Sequence, residues 1–248
     1  MTVAVIQFPG SNCEDETCEA LASQTIKHEL ISWNTTVDLN RFSGFILPGG
    51  FSFQDRIRAG VIAAKLPIMR ELKQQSNSHN KPILGICNGA QILIESGFFS
   101  DSDNLTEIID LNYVNDQAIG FICDWGFLRP FNNENNLFLK QLSTSDVLPI
   151  QICHGEGRFI SAKEIHCGMK YCKIDGNQNH SFPTIPNGAK NGIGAISNDS
   201  GNCLAIMPHP ERSINKDRYP ISIRAHAEKH NLNLVDFTKL FDAFKDFK

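Results

Sequence analysis

Between Pro82 and Glu95 the chain changes character within a few residues. Pro82-Ile83-Leu84 is a short apolar run, Ala90-Gln91-Ile92-Leu93-Ile94-Glu95 has the composition of a helix, and only Gly85-Ile86-Cys87-Asn88-Gly89 lies between them. So tight a junction predicts a strand that turns sharply into a helix, with glycines where side chains would collide with neighbouring elements. A strand feeding straight into a helix belongs to a βα unit, and so to a sheet covered by helices. Cys87 sits at the apex of the turn. There the exposed N–H groups and dipole of the helix N-terminus favour thiolate over thiol, which makes Cys87 a candidate nucleophile. The competing reading is a buried thiol with a purely structural role.

The rest of the chain supports such a sheet. Val3-Ala4-Val5-Ile6 reads as a buried strand, Glu14 to Gln24 as a helix capped by Ser11 or Asn12, and Gly44 to Leu47 as another strand. Ile57 to Gln74 reads as a helix disturbed at Pro67. This βαβα alternation predicts a doubly wound, mainly parallel sheet with helices on both faces. From about Gly120 to Asn198 the pattern shifts to strands punctuated by Asn-Gly, Asp-Gly and Pro, which predicts antiparallel hairpins added to that sheet. Asn132-Asn133-Glu134-Asn135-Asn136 fits a hairpin or surface turn. Asp236 to Lys248 is expected to form a closing helix with Leu240, Phe241 and Phe244 inward. With no linker, repeat or low-complexity tract, residues 1–248 read as one domain, long enough to bury about three quarters of its unfolded surface.

A second segment supplies what a nucleophile needs. At Pro208-His209-Pro210-Glu211 the prolines disfavour helix and hold the chain extended, so His209 and Glu211, two apart, project to the same side. A carboxylate that accepts the imidazole N–H fixes the tautomer and stabilises the imidazolium formed as His209 takes a thiol proton. Pro-His-Pro-Glu by itself reads equally well as a surface turn. Paired with the Cys87 junction, it completes a nucleophile, base and acid. The order histidine then acid, two residues apart, differs from that of the α/β-hydrolases, where the acid precedes the histidine at a distance.

Several chemistries are disfavoured. The chain holds neither a Gly-x-x-x-x-Gly-Lys-Ser/Thr nor a Gly-x-Gly-x-x-Gly motif, and Glu14, Asp15 and Glu16 would repel a phosphate after the first loop. A net charge of −4 with mixed signs offers no basic stripe for nucleic acid. The eight cysteines include no Cys-x-x-Cys pair, and Cys13 with Cys18, or His166-Cys167 with Cys172, have spacings that bind zinc only with outside ligands; no metal is expected. Val3 to Phe8 is too short for a signal or membrane segment, and an unprotected catalytic thiol suits a reduced compartment, so the expected location is cytoplasmic. His28, His79, His180, His226 and His230 lie in polar surroundings and need no catalytic role.

Six stretches carry a resemblance: Phe8-Pro9-Gly10-Ser11-Asn12-Cys13; Leu47-Pro48-Gly49-Gly50-Phe51-Ser52 with Asp55 and Arg58-Ala59-Gly60; Gly85 to Gln91; His154-Gly155-Glu156-Gly157-Arg158-Phe159; Pro186-Asn187-Gly188 with Asn191-Gly192; and Met207 to Arg212. They run from residue 8 to 212, and the chain is similar to the class I glutamine amidotransferases, in particular to glutaminase subunits of purine biosynthesis. The resemblance implies a flavodoxin-like fold and a catalytic triad of Cys87, His209 and Glu211. It implies that Gly50, Phe51, Asn88, Gln91 and the loop His154-Gly155-Glu156 meet L-glutamine, with backbone N–H groups of Asn88 and of the Gly49-Gly50-Phe51 loop as oxyanion donors. No cofactor is expected on this chain. ATP and magnesium, with formylglycinamide ribonucleotide, are expected on a separate, larger synthetase subunit that receives the ammonia, and a small third subunit often joins. The match is weakest between Asp103 and Arg129, where only Phe121-x-Cys123-x-Trp125 aligns loosely. Two alternatives stay open: a cysteine hydrolase or glutaminase with the same elbow serving another acceptor, and a non-catalytic binding subunit.

Overall fold

The structure is a computed structural model that describes residues 1–100, 107–162 and 164–245. In chain order it forms β1 (Val3–Gln7), α1 (Glu14–Ser23), β2 (His28–Ser32), β3 (Gly44–Leu47), α2 (Val61–Ala64), α3 (Pro67–His79), β4 (Ile83–Ile86) and α4 (Asn88–Glu95). There follow β5 (Glu107–Leu111), β6 (Tyr113–Val114), β7 (Gln117–Ala118), β8 (Ile122–Phe131), β9 (Leu148–His154), β10 (Glu156–Ser161), β11 (Gly168–Cys172), β12 (Ile193–Ser197) and β13 (Cys203–Ile206). Helices α5 (Ile221–Lys229) and α6 (Thr238–Phe241) close the chain.

Nine strands make the main sheet, in the order β2-β1-β3-β4-β13-β12-β11-β8-β9. The first five are mutually parallel. Their order is the flavodoxin-like one, reversing direction at the junction of β1 and β3. The other four are antiparallel, as the punctuation after Gly120 predicts, and they extend the same sheet. The antiparallel pair β5-β10 and the hairpin β6-β7 stand apart from it.

Alternation along the parallel strands builds two cores. Val3, Val5, Ile46, Leu84 and Ile86 pack on one face with Ala20 and Leu21 of α1 and with Leu240, Phe241 and Phe244. Ala4, Ile6, Phe45, Leu47 and Ile83 pack on the other with Ile68, Met69 and Leu72 of α3. Helix α4 contributes to both, Ala90 and Ile94 to the first, Ile92 and Leu93 to the second. With both faces covered, the parallel strands read as unbroken apolar runs.

Four expectations are corrected. The N-cap of α1 is Cys13, with no side-chain cap, because Ser11 Oγ accepts from Phe8 N–H and Asn12 Oδ1 from the Cys13 thiol. The stretch 57–74 is two helices: Pro67 starts α3 at its first turn, where the missing N–H costs nothing, and residues 57–60 form a loop with Ile57 and Gly60 at positive φ. At the end of the chain a single helical turn, α6, passes into a 3-10 turn at Asp242–Phe244; the rest of the expected helix, 246–248, lies outside the described residues. The three inward side chains are as expected. Asn133 and Asn136 are buried, since their amides satisfy backbone groups: Asn133 Nδ2 donates to the Leu139 and Leu142 carbonyls, and Asn136 Oδ1 accepts from Phe138 and Leu139 N–H. Part of the poorly matched 103–129 region, 103–106, also lies outside the described residues.

Candidate active site

The elements that carry chemistry meet at the carboxyl ends of the parallel strands, where open α/β sheets place their ligands. Cys87 follows β4, Gly49 and Gly50 follow β3, and His209 follows β13. The elbow is strained, with Cys87 at φ 51 and ψ −110, and it is pinned by a 2.8 Å hydrogen bond from Cys87 N–H to the Ile206 carbonyl. The flanking glycines follow from packing. A Cβ on Gly89 would lie 1.9 Å from the Leu47 carbonyl oxygen, and one on Gly85 would lie 2.6 Å from the Gly89 carbonyl oxygen. The helix therefore rests on the strand backbone beside it, with no room for a side chain.

His209 Nδ1 lies 2.6 Å from Glu211 Oε1, and both residues are almost completely buried. Burial by itself disfavours a charged imidazole, yet the charges of Glu211 and Cys87 prevail and hold the His209 pKa well above its ordinary value. Its Nε2 is buried and, among the described residues, has no hydrogen-bond partner. Gly49 lies where the groups converge: a Cβ there would be 2.9 Å from His209 Cε1 and 3.3 Å from Cys87 Cβ. The Cys87 thiol points 3.6 Å from the Cys153 carbonyl on β9. Cys87, His209 and Glu211 are thus brought together, but not through an extended stretch as expected: Pro210 starts a 3-10 turn, Pro210–Arg212, where its missing N–H costs nothing, and the turn carries Glu211 to the imidazole.

The candidate oxyanion loop is held by the segment after β1. Asn12 and Cys13 N–H donate to the Gly49 carbonyl, and Phe51 N–H donates to the Gly10 carbonyl at 2.9 Å. Phe51 N–H is therefore engaged, while among the described residues the N–H groups of Gly50 and Asn88 have no acceptor. Gly50, at φ 149, packs against the backbone of Gly10 and Ser11 so closely that a Cβ would meet both at 2.7 Å. Asn88 and Gln91 act as ties through their side chains: Asn88 Oδ1 accepts from Ser52 N–H, Asn88 Nδ2 donates to Asp55 and Gln91, and Gln91 Nε2 donates to the Glu156 carbonyl at 2.8 Å.

A cavity of about 160 Å³ opens beside Cys87. Gly50, Phe51, Gln91 and His154 line it together with Cys87 and His209; Asn88 is not part of the lining. It suits a small metabolite better than a nucleotide. His154 is 2% exposed, and among the described residues neither ring nitrogen has a hydrogen-bond partner. Burial, with the nearby charge of His209, lowers its pKa to about 3, so the ring is neutral. Of the histidines set aside by sequence, His79, His180, His226 and His230 are exposed and His28 is half-buried.

The His154-Gly155-Glu156 loop lines the cavity as the resemblance implies, whereas Cys13, Asp55 and Arg212, which also line it, were given no role there by sequence reasoning. All three fall inside the six stretches that carry the resemblance, which was the available signal. Cys13 Sγ accepts from Arg212 Nη2 at 3.2 Å, and the same guanidinium pairs with Glu16 at 3.1 Å. Cys13 Sγ, a His209 ring nitrogen and a Glu211 oxygen lie within 4.8 Å of one another, the one such potential metal cluster among the described residues. The guanidinium against the thiol and the imidazole on the carboxylate make it a poor cation site. Cys18, His166, Cys167 and Cys172 do not join it.

Comparison with known proteins is consistent with this geometry. The family of CobB/CobQ-like glutamine amidotransferase domains matches residues 1–247. The chain belongs to that glutamine amidotransferase family. It is 38% identical to a phosphoribosylformylglycinamidine synthase subunit PurQ of Methanothrix thermoacetophila, over 86% of this chain and 87% of that one. A PurQ subunit from Methanocaldococcus jannaschii is 37% identical over 87% and 91% of the two chains. Among solved structures, PurLQS from Thermotoga maritima superposes with a TM-score of 0.76 at 28% identity, covering 99% of this chain and 98% of its counterpart. A second Thermotoga maritima glutamine amidotransferase, 15% identical with a TM-score of 0.54, covering 99% and 96%, shares the amidotransferase fold. Among the described residues no helix is long and apolar enough to cross a membrane.

Proposed function

We propose that this chain is the glutaminase subunit of a phosphoribosylformylglycinamidine synthase, releasing ammonia from glutamine for a synthetase that converts formylglycinamide ribonucleotide to its amidine in purine biosynthesis. The observation that carries this reading is the meeting of Cys87 and His209 at one cavity, with Glu211 behind the imidazole on Nδ1, in a chain 38% identical to a PurQ subunit.

The roles follow from position. His209 takes the Cys87 proton, and the thiolate attacks the side-chain amide carbon of glutamine. The tetrahedral oxyanion would be met by the free N–H groups of Asn88 and Gly50, each worth about 10²- to 10³-fold in rate. The imidazolium returns its proton to the departing ammonia, leaving a glutamyl thioester, and a water activated by the same imidazole releases glutamate. Glu211 fixes the tautomer and ring orientation throughout. Phe51 and His154 shape the pocket, and Gln91 holds the Glu156 loop against α4.

Ammonia alone does not form the amidine: the acceptor oxygen needs activation by ATP and magnesium, which we assign to the separate synthetase subunit. The likeness to a PurLQS structure supports that partner and a small third subunit. The assembly would work in the cytoplasm. The test combines the purified chain with its synthetase, formylglycinamide ribonucleotide, ATP, magnesium and glutamine. Glutamate and the amidine ribonucleotide are expected in equal amounts. Amidine formed from added ammonium but never from glutamine would overturn the reading.

A further inference from the structure

Cys123 and Cys153 face each other across the end of the β8-β9 ladder. They are paired in register, one step before Ile122 and His154 close the ladder, and the Cys153 thiol points at Cys123 Sγ from 4.0 Å. Among the described residues no other registered strand pair joins two cysteines. Directly opposed residues of an antiparallel pair have Cα atoms about 4.5 or 5.5 Å apart, and both values lie within the span that a disulfide bridges. Cys123 is exposed and Cys153 half-buried, so a solute reaches this pair, whereas Cys13, Cys87, Cys172 and Cys203 are buried.

Neither thiol has a part in the acyl transfer, yet the strand that carries Cys153 supports the groups that do. β9 is the edge strand of the main sheet, paired along its length with β8. The Gln151 carbonyl accepts the His209 N–H at 2.8 Å, and the Cys153 carbonyl lies 3.6 Å from the Cys87 thiol. Cys153 also lines the cavity that contains Cys87. The rung that joins the two thiols therefore sets where this carbonyl stands against the nucleophile.

We propose that Cys123 and Cys153 form a modification site, closing to a disulfide by exchange with a low-molecular-weight disulfide and so switching off glutamine turnover at Cys87 until the bond is reduced. The effect on turnover rests on the glutaminase reading above; the bond itself does not. In the first step the Cys123 thiolate attacks one sulfur of the small disulfide, whose S–S bond breaks and releases one thiolate. Cys153, as thiolate, then attacks the Cys123 sulfur of the mixed disulfide, and the second small thiolate leaves. Two protein thiols and one small disulfide thus give one protein disulfide and two small thiols, the two protons passing to the leaving groups. Burial, and then the charge of Cys123, raise the Cys153 thiol above its ordinary range, which fits the exposed Cys123 as the first to react. Closing the bond draws the Cys153 backbone toward β8 and its carbonyl away from Cys87, and a misplacement of about 1 Å costs about 10²-fold in rate.

The test treats the assembled synthetase complex with oxidised glutathione and then with dithiothreitol. Peptide mapping without reduction is expected to show a cross-linked pair containing Cys123 and Cys153. Glutamine-dependent synthesis is expected to fall about 10-fold or more and to return with dithiothreitol, while synthesis from added ammonium is unchanged. Cys123→Ser is expected to keep the untreated rate and lose the sensitivity, and in Cys153→Ser the exchange should stop at a glutathione adduct on Cys123. Equal inactivation of Cys123→Ser would place the oxidation at another thiol and overturn the proposal. So would wild type mapped with both thiols free or with only an adduct, or a cross-link that leaves glutamine turnover unchanged. Mapping is read without turnover, so a complex inactive toward glutamine from the outset would overturn the glutaminase reading while the cross-link still decided the site.

Discussion

Glu211 Oε1 stands 2.6 Å from Nδ1 of His209, with both side chains sealed from solvent. The pair turns a buried imidazole, which burial alone would keep neutral, into one that holds a proton readily. Glu211→Gln removes that charge while keeping the shape. The His209 pKa should drop, and acylation should slow by about 10²- to 10⁴-fold with the fold intact. Rapid-quench measurement of the glutamyl-enzyme burst reads it directly; a burst at the wild-type rate excludes Glu211 from the triad.

Cys87→Ser leaves the elbow and the partner surface in place but removes the thiolate. In the assembled complex, glutamine-dependent synthesis should be lost, while synthesis from added ammonium stays near the wild-type rate. Parallel assays with the two nitrogen sources check this. Substantial glutamine turnover by the serine variant would mean another nucleophile.

His154 makes a prediction about pH and stability. Its pKa is about 3 in the folded chain against an ordinary 6.5, so it is depressed by folding. Stability from the neutral ring is therefore fully present above pH 6.5 and is lost as pH falls toward 3. Between pH 7 and pH 5 the wild type should lose about 2 kcal/mol that His154→Leu does not lose. Urea denaturation at the two pH values measures the difference in slope, and parallel curves would falsify the claim.

Gly89 and Gly120 offer a contrast. At Gly89 a Cβ would sit 1.9 Å from the Leu47 carbonyl oxygen, so Gly89→Ala should cost about 3 kcal/mol despite the better helix propensity of alanine. At Gly120, with φ +70 and none of the described residues within 4 Å of an added Cβ, alanine suffers only backbone strain, about 1 kcal/mol. Thermal melts of both variants test the ranking; equal losses would contradict it.

Much of this protein was legible in its sequence because the deciding information is local. The apolar runs at Val3–Ile6, Gly44–Leu47 and Pro82–Leu84 specify buried strands by themselves, and the Gly85–Gly89 junction specifies a sharp turn into a helix. His209 and Glu211 are two residues apart, so their pairing was legible, although the carboxylate reaches the imidazole from a 3-10 turn at Pro210–Arg212 and not from the extended stretch that the prolines suggest.

What lay beyond the sequence is everything set by contacts between distant segments. The α1 cap moved to Cys13 because Ser11 and Asn12 are used within their own loop, and Asn133 and Asn136 are buried because backbone groups several residues away need donors and acceptors. Cys13 and Arg212 are 199 residues apart and touch only because the loops after β1 and β13 leave the same carboxyl end of the parallel strands. Asp55 and Glu156 likewise face one cavity only through Asn88 and Gln91 on α4. Pattern along a chain fixes which residues turn inward and where the backbone bends. Which side chains then share a few ångströms of buried space is decided by strand order, and that is set by the packing of the whole sheet rather than by any one segment.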